Sequence, residues 1–316
     1  MITIVRRNKK RASVFQWILA TALFTVSCTT DVWNETEGNA ICFQVPQTES
    51  RAAVEGSSLP ANSSFLVWGG YDNNVTNVFN GETVSESNGV WNYEGGTRYW
   101  IPGKTYSFYG VYPSETSATV EDGIIKVNGF NTDANYGEQA VDLMTAVSPV
   151  MSGGDAQQVP LNFSHELCKV RFTVKAEPGI PTTTVQKVIL YGYTGQGNFS
   201  TGTSPRWTLD EIPYTNADSP LKFEGNESLT DTHPIEGEEW LLIPQAAESL
   251  KLDFSYTQNG IQKEWPLDLT SNGKVQWNAG KAYHYVVTVK SNAISFAQFV
   301  IDEWRTSSAG GEIVIP

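Results

Sequence analysis

Several separated segments of this chain place apolar residues at every second position, which is the period of a β-strand with one buried face and not that of a helix. Ile41, Phe43 and Val45 alternate with Cys42 and Gln44, and Tyr106, Phe108 and Gly110 with Ser107, Tyr109 and Val111. Leu250, Leu252 and Phe254 alternate with Lys251, Asp253 and Ser255, and Tyr283, Tyr285 and Val287 with His284, Val286 and Thr288. The clearest run is Val170, Phe172 and Val174, whose neighbours Lys169, Arg171, Thr173 and Lys175 are expected on a solvent face. Gly, Asn, Ser and Thr punctuate the chain at roughly every eight to twelve residues, and no long segment carries a helical apolar stripe. The fold class is therefore all-β. A mature chain of about 290 residues is too long for one ordinary core and predicts two domains. The loop of Gly and small residues from Val147 to Val159 is the best boundary, with a second set of strands beginning near Pro160. No short repeat period is present, which disfavours a propeller or solenoid.

Residues 1–27 have the parts of a secretory leader. Arg6, Arg7, Lys9, Lys10 and Arg11 are followed by an apolar run from Val14 to Val26, interrupted by Gln16, Thr21 and Thr25. That run is too short and too weakly apolar for a comfortable membrane span. At its end, Leu23-Phe24-Thr25-Val26-Ser27-Cys28 resembles a lipobox, in which a small residue precedes the cysteine that receives diacylglycerol; Thr25 stands where Leu is usual. Cys28 is thus the expected lipidation site of a bacterial lipoprotein, the alternative being an ordinary cleavage site beside an incidental cysteine.

Cleavage at Cys28 removes five basic and no acidic residues and takes the net charge from −13 to −18. Nucleic-acid partners, which are held through clustered Lys and Arg, are excluded on that ground. Cys42 and Cys168 remain, in a compartment that permits disulfides. Either they pair or both are buried as small apolar residues.

Chemistry-bearing constellations are missing. His165, His233 and His284 have no metal-ligand spacing among them, and His165 with Cys168 makes at most half a site. His165, in the strand-like stretch Asn162 to Leu167, reads as a hydrogen-bonded structural histidine. There is no phosphate-cradling glycine loop and no nucleophile elbow. Glu238 and Glu239 adjoin Trp240, but neighbouring strand residues point to opposite faces, and no glycosidase pair can be named. No catalytic residue, metal ligand or cofactor is expected. Trp68, Trp91, Trp100, Trp207, Trp240, Trp265, Trp277 and Trp304 are spread along the folded part, as core residues would be and a sugar-stacking cluster would not.

Taken in order, several stretches resemble the fimbrillins of the Bacteroidales, lipoprotein-precursor pilins of the type V class. Tyr99-Trp100-Ile101-Pro102 and then Tyr106-Ser107-Phe108-Tyr109-Gly110-Val111-Tyr112-Pro113 are similar to that family's Trp-Pro and its aromatic strand ending in Tyr-Pro. Leu161 to Val170 resembles its Phe-x-His strand. Leu242-Ile243-Pro244-Gln245 follows, and Trp277-Asn278-Ala279-Gly280-Lys281-Ala282-Tyr283-His284-Tyr285 is similar to its Trp-x-x-Gly-Lys-x-Tyr-x-Tyr turn and strand.

The resemblance implies two transthyretin-like β-sandwich domains in series, over residues 52–157 and 158–316, after a signal peptide over 1–27 and a propeptide over 28–51. It also implies a route of assembly. A trypsin-like surface protease cuts between Arg51 and Ala52, and lipid and the strand carrying Ile41, Phe43 and Val45 depart together. The vacated groove is then a template for a partner strand. The tail Ile313, Val314 and Ile315 could supply that strand to a neighbour, or could be an edge strand of its own domain. Arg51 could equally be a solvated loop residue. The expected partners are other fimbrial subunits (self or related pilins), the protease, outer-membrane lipid through the precursor, and a ligand on a host or bacterial surface. The expected address is the outer membrane and then the fimbrium. Two other readings are a lipid-anchored surface protein that binds glycan or host protein without polymerising, and a hydrolase with an unrecognised carboxylate pair.

Overall fold

The computed structural model describes residues 39–48, 58–137, 140–154, 157–210, 212–271, 275–291, 293–301 and 312–315. Strands joined by turns make up this part of the protein, and there is no α-helix among the described residues.

The first half is organised around a seven-stranded antiparallel sheet. Its order runs Ser164–His165, Met144–Val147, Thr105–Tyr112, Ser64–Tyr71, Phe79–Ser87, Val90–Tyr93, with Met151–Ser152 also paired to Thr105–Tyr112. One face, carrying Phe65, Val67, Phe79, Tyr106, Phe108 and Met144, packs against Ile41, Phe43, Val45, Leu59, Trp100, Val159, Leu161 and Phe163. The sheet's other face carries Trp68, Tyr109 and Val111 into a second cluster with Val120, Ile125, Val127, Phe199, Trp207, Leu241 and Ile243. Thr105–Tyr112 is therefore not half-buried, as its alternation suggested. Tyr106 and Phe108 point into one core and Tyr109 and Val111 into another, because a second sheet covers the face expected to meet water. At Gly110 a Cβ would lie 2.8 Å from the Phe163 ring, so this crossing requires glycine.

The covering sheet has the order Trp207–Leu209, Gln196–Ser200, Ile124–Asn131, Ala118–Glu121. Two of its strands precede the Val147–Val159 loop and two follow it, so the halves share main-chain hydrogen bonds between Ile124–Asn131 and Gln196–Ser200. Strands Val159–Pro160 and Ser164–His165 also pair with elements of the first half.

The second half is a sandwich. One sheet has the order Ile235–Glu236, Cys168–Ala176, Ala282–Val289, Ile294–Ile301, Glu312–Ile315, with Trp240–Leu242 also paired to Cys168–Ala176. The other runs Lys222–Leu229, Thr183–Tyr191, Lys251–Gln258, Ile261–Asp268. Val170, Phe172, Val174, Val188, Leu190, Leu252, Phe254, Tyr283, Tyr285, Val287 and Phe296 fill the space between. Cys168–Ala176 and Ala282–Val289 run parallel. The turn before the latter has the expected geometry: Gly280 sits at φ 70, Lys281 N–H donates to the Asn278 carbonyl at 3.3 Å, and Tyr283 Oη accepts from Asn278 N–H at 2.7 Å.

The solvent face expected for Lys169 and Thr173 is not there, since both are buried. The segment from Ile235 to Leu242 folds along this strand and brings carboxylates to it. Glu239 meets Lys169 Nζ at 3.0 Å, and Glu236 accepts from Thr173 Oγ1 at 2.5 Å. Ser255, Val286 and Thr288 are likewise buried.

Candidate functional site

The segment from Asn39 to Thr48 lies in the first core. Ile41, Phe43 and Val45 are buried, as their alternation predicts, and Gln44 between them is exposed. Phe43 sits edge-on to four rings: Phe79 at 5.4 Å, Phe65 and Phe108 at 6.0 Å, and Tyr93 at 6.1 Å between centroids. Such offset geometries add to the burial of a large apolar side chain, which alone contributes about 2–3 kcal/mol.

Main-chain hydrogen bonds hold the segment along both sides. On one side Ile41 N–H donates to the Arg98 carbonyl at 2.8 Å, and Trp100 N–H donates to the Asn39 carbonyl at 2.9 Å. On the other, Phe43–Gln44 pairs parallel with Val159–Pro160; Val159 N–H donates to the Cys42 carbonyl at 2.7 Å and Leu161 N–H to the Gln44 carbonyl at 2.9 Å. Gln47–Thr48 pairs parallel with Leu59–Pro60. Without residues 39–48 the groove would keep the Arg98 carbonyl and the amides of Trp100, Val159 and Leu161 without these partners, beside apolar rings. Buried backbone groups in that condition are costly, so an empty groove of this kind favours another strand.

The C-terminal tail is placed elsewhere. Glu312–Ile315 pairs antiparallel with Ile294–Ile301, aligning Ile313 with Phe296, Val314 with Ser295 and Ile315 with Ile294, and it forms the outer edge of the second domain's sheet. Cys28, Arg51 and Ala52 lie outside the described residues.

Cys168 is a free, fully buried thiol that donates to the Leu242 carbonyl at 3.3 Å, and burial pushes its pKa far above the usual thiol range. It is not joined to Cys42, so the N-terminal strand is not tied to the second domain through it. His165 has the structural role expected of it: its Nδ1 lies 3.0 Å from a carboxylate oxygen of Asp142, a pair buried at the junction of the halves. Burial holds the Asp142 carboxyl above its ordinary range despite the histidine. Trp68, Trp91, Trp100, Trp207, Trp240 and Trp277 are all buried, which removes them as sugar-stacking platforms. Among the described residues no group of three or more His, Cys, Asp or Glu is placed to hold a metal ion.

Tyr93 and Arg98, which border the groove, escaped notice in the sequence because they belong to no motif. The nearest signal was the position of Arg98 directly before Tyr99-Trp100. Glu166, inside the stretch that resembles the Phe-x-His strand, joins the halves through Thr145 Oγ1 at 2.6 Å and Arg206 at 2.7 Å, long-range partners that the stretch itself does not signal.

The family model described as fimbrillin-like matches residues 50–304, and the chain belongs to that family. This is a family of structural fimbrial subunits, not of enzymes, so the protein works in a cell-surface fimbrium with other fimbrial subunits as its partners. No curated protein matches the chain. Among solved structures it is similar to a candidate cell adhesion protein of Bacteroides ovatus, at 17% identity and a TM-score of 0.57 over 85% of this chain and 98% of that one. A candidate cell adhesion protein of Bacteroides uniformis is similar at 18% identity and a TM-score of 0.54 over 84% and 98%. These two likenesses concern the fold.

Proposed function

We propose that the protein is a fimbrial subunit exported as a precursor acylated on Cys28, and that it polymerises by strand exchange. A trypsin-like surface protease cuts after Arg51, so that the new chain begins at Ala52 and the strand bearing Ile41, Phe43 and Val45 is free to leave. The C-terminal tail of a neighbour, through Ile313, Val314 and Ile315, takes its place. Each subunit then both donates and accepts, and a head-to-tail contact that does not close on itself produces a filament.

The observation that carries this reading is the position of residues 39–48. They complete the first core while lying ahead of the expected cut, and the main-chain hydrogen bonds that flank them on both sides are ones another strand could make. The tail is suited to move because it is an edge strand, bonded along one side only among the described residues. The acylated precursor would keep the subunit at the outer membrane until the cut.

Limited trypsin treatment of the purified chain tests this. Release of the segment ending at Arg51, together with growth of the remainder into polymers by light scattering and electron microscopy, is the expected result. A chain cut at Arg51 that stays monomeric after residues 28–51 have left would refute strand exchange.

A further inference from the structure

Ile41 is gripped at both polar groups of its own main chain. Its N–H donates to the Arg98 carbonyl at 2.8 Å, and its carbonyl accepts from the Tyr93 hydroxyl at 2.9 Å. The same hydroxyl accepts from Arg98 N–H at 3.2 Å. Tyr93 and Arg98 therefore close a ring of hydrogen bonds around one residue of the strand, and the ring reads no side chain of that residue.

The remaining contacts of Arg98 explain why this pair holds its shape. The guanidinium lies 4.6 Å from the Phe79 ring centroid and 5.2 Å from that of Tyr93. Nε–H donates to the Val78 carbonyl at 2.8 Å, one terminal nitrogen to the carbonyls of Glu94 and Gly96, and the other to Glu82 at 2.8 Å. Phe79 in turn packs edge-on against Tyr93 at 5.0 Å. None of these partners belongs to residues 39–48. A planar guanidinium with all of its arms occupied is a rigid strut, and this one holds the Arg98 peptide and the Tyr93 ring through polar partners outside the strand, with Phe43 of the strand adding ring contacts to Tyr93 and Phe79.

We propose that Tyr93 and Arg98 form a preorganised main-chain clamp that sets the register of whatever strand occupies the groove of the first domain. The clamp engages one residue by its N–H and carbonyl, so its hydrogen bonds fix which residue stands there and which fall into the neighbouring pockets, while the core around the buried Ile41 side chain selects for an apolar residue at that position. In this chain it engages Ile41 and thereby sets Phe43 among Phe65, Phe79, Tyr93 and Phe108. A one-residue slip would turn Cys42 and Gln44 inward, because side chains alternate along a strand. The extension to an incoming strand rests on the strand-exchange reading; the clamp on Ile41 does not.

Residue-resolved amide hydrogen exchange on the intact, uncut chain tests the clamp whether or not the strand is ever removed. Tyr93→Phe keeps the ring and deletes the hydroxyl. The expected result is roughly tenfold faster exchange at the amides of residues 41–45, with the Thr105–Tyr112 amides unchanged, since one partly buried hydrogen bond is lost and local opening is what becomes easier. Arg98→Lys, which keeps the charge and loses the fork, is expected to accelerate the same amides. Equal acceleration throughout the first core, or none at residues 41–45, would overturn the clamp. On trypsin-treated protein, polymer formation by the wild type and its slowing in Tyr93→Phe extends the clamp to donated strands. Polymers of both chains growing at one rate would confine it to the N-terminal strand, and absence of polymer from the wild type would refute strand exchange while leaving the amide result standing.

Discussion

Phe43 meets the ring of Phe79 edge-on, with centroids 5.4 Å apart and planes at 63°. One ring belongs to the segment expected to leave and the other to the sheet that stays, so this contact measures how much of the first core the N-terminal strand supplies.

Phe43→Ala should destabilise the precursor by about 3–5 kcal/mol, the range for truncating a buried phenylalanine in a packed core. Urea denaturation of the uncut chain, followed by the fluorescence of Trp91 and Trp100 in the same cluster, reads the loss. A change below about 1 kcal/mol would mean that the strand adds little to the core.

Deleting residues 312–316 should leave the body folded, because it removes only a short edge strand. The deleted chain should accept tails and donate none. Added in small amounts to trypsin-treated wild-type protein, it should shorten filaments, as seen by electron microscopy. Filaments of unchanged length with the deleted chain incorporated throughout would exclude this tail as donor.

Glu166 is a buried carboxylate at the seam of the two halves. It accepts from Thr145 Oγ1 and Arg206, while its main-chain carbonyl accepts from Trp207 Nε1 at 2.8 Å. Burial raises its pKa against the pull of those partners. Arg206→Ala should cost about 1–3 kcal/mol, since it strands a buried charge, and Glu166→Gln less than that. Thermal unfolding should show the larger loss in Arg206→Ala; equal losses would mean that charge at the seam is immaterial.

His284 sits with Nε2 at 2.7 Å from Thr173 Oγ1 and Nδ1 at 3.5 Å from Arg171. Since Thr173 donates to Glu236, this is a neutral imidazole with its proton on Nε2. Burial, and secondarily the Arg171 charge, lower its pKa from 6.5 to about 4. The unfolded chain therefore binds the proton more readily, so this contribution is complete above pH 6.5 and is lost as pH falls toward 4. Partial exposure reduces the effect to about 1–2 kcal/mol. Asp142 and Glu166, whose pKa values are raised, titrate with the opposite sign. The measurement is accordingly the difference in stability between wild type and His284→Gln at pH 4.5 and 7. A difference independent of pH would contradict the assignment.

Much of this fold was legible because strands declare themselves by local period: Ile41, Phe43 and Val45, and Tyr283, Tyr285 and Val287, are buried where alternation places them. What alternation cannot report is the cover on the second face. Tyr109 and Thr173 are buried by segments distant in sequence, and no window around either residue contains them. The sheet shared between Ile124–Asn131 and Gln196–Ser200 is likewise a long-range pairing that local signals do not encode. Of the site, the strand and tail were visible as apolar runs. Tyr93 and Arg98 were not, because they act through main-chain geometry and carry no spacing signature.

Strand exchange requires that residues 28–51 be removed before assembly. The direct measurement is the intact mass and N-terminal sequence of the protein taken from its own cell surface, with and without inhibition of trypsin-like proteases. Filament-borne protein beginning at Ala52, and lost on inhibition, is the predicted result; filament-borne protein that still carries acylated Cys28 would contradict it.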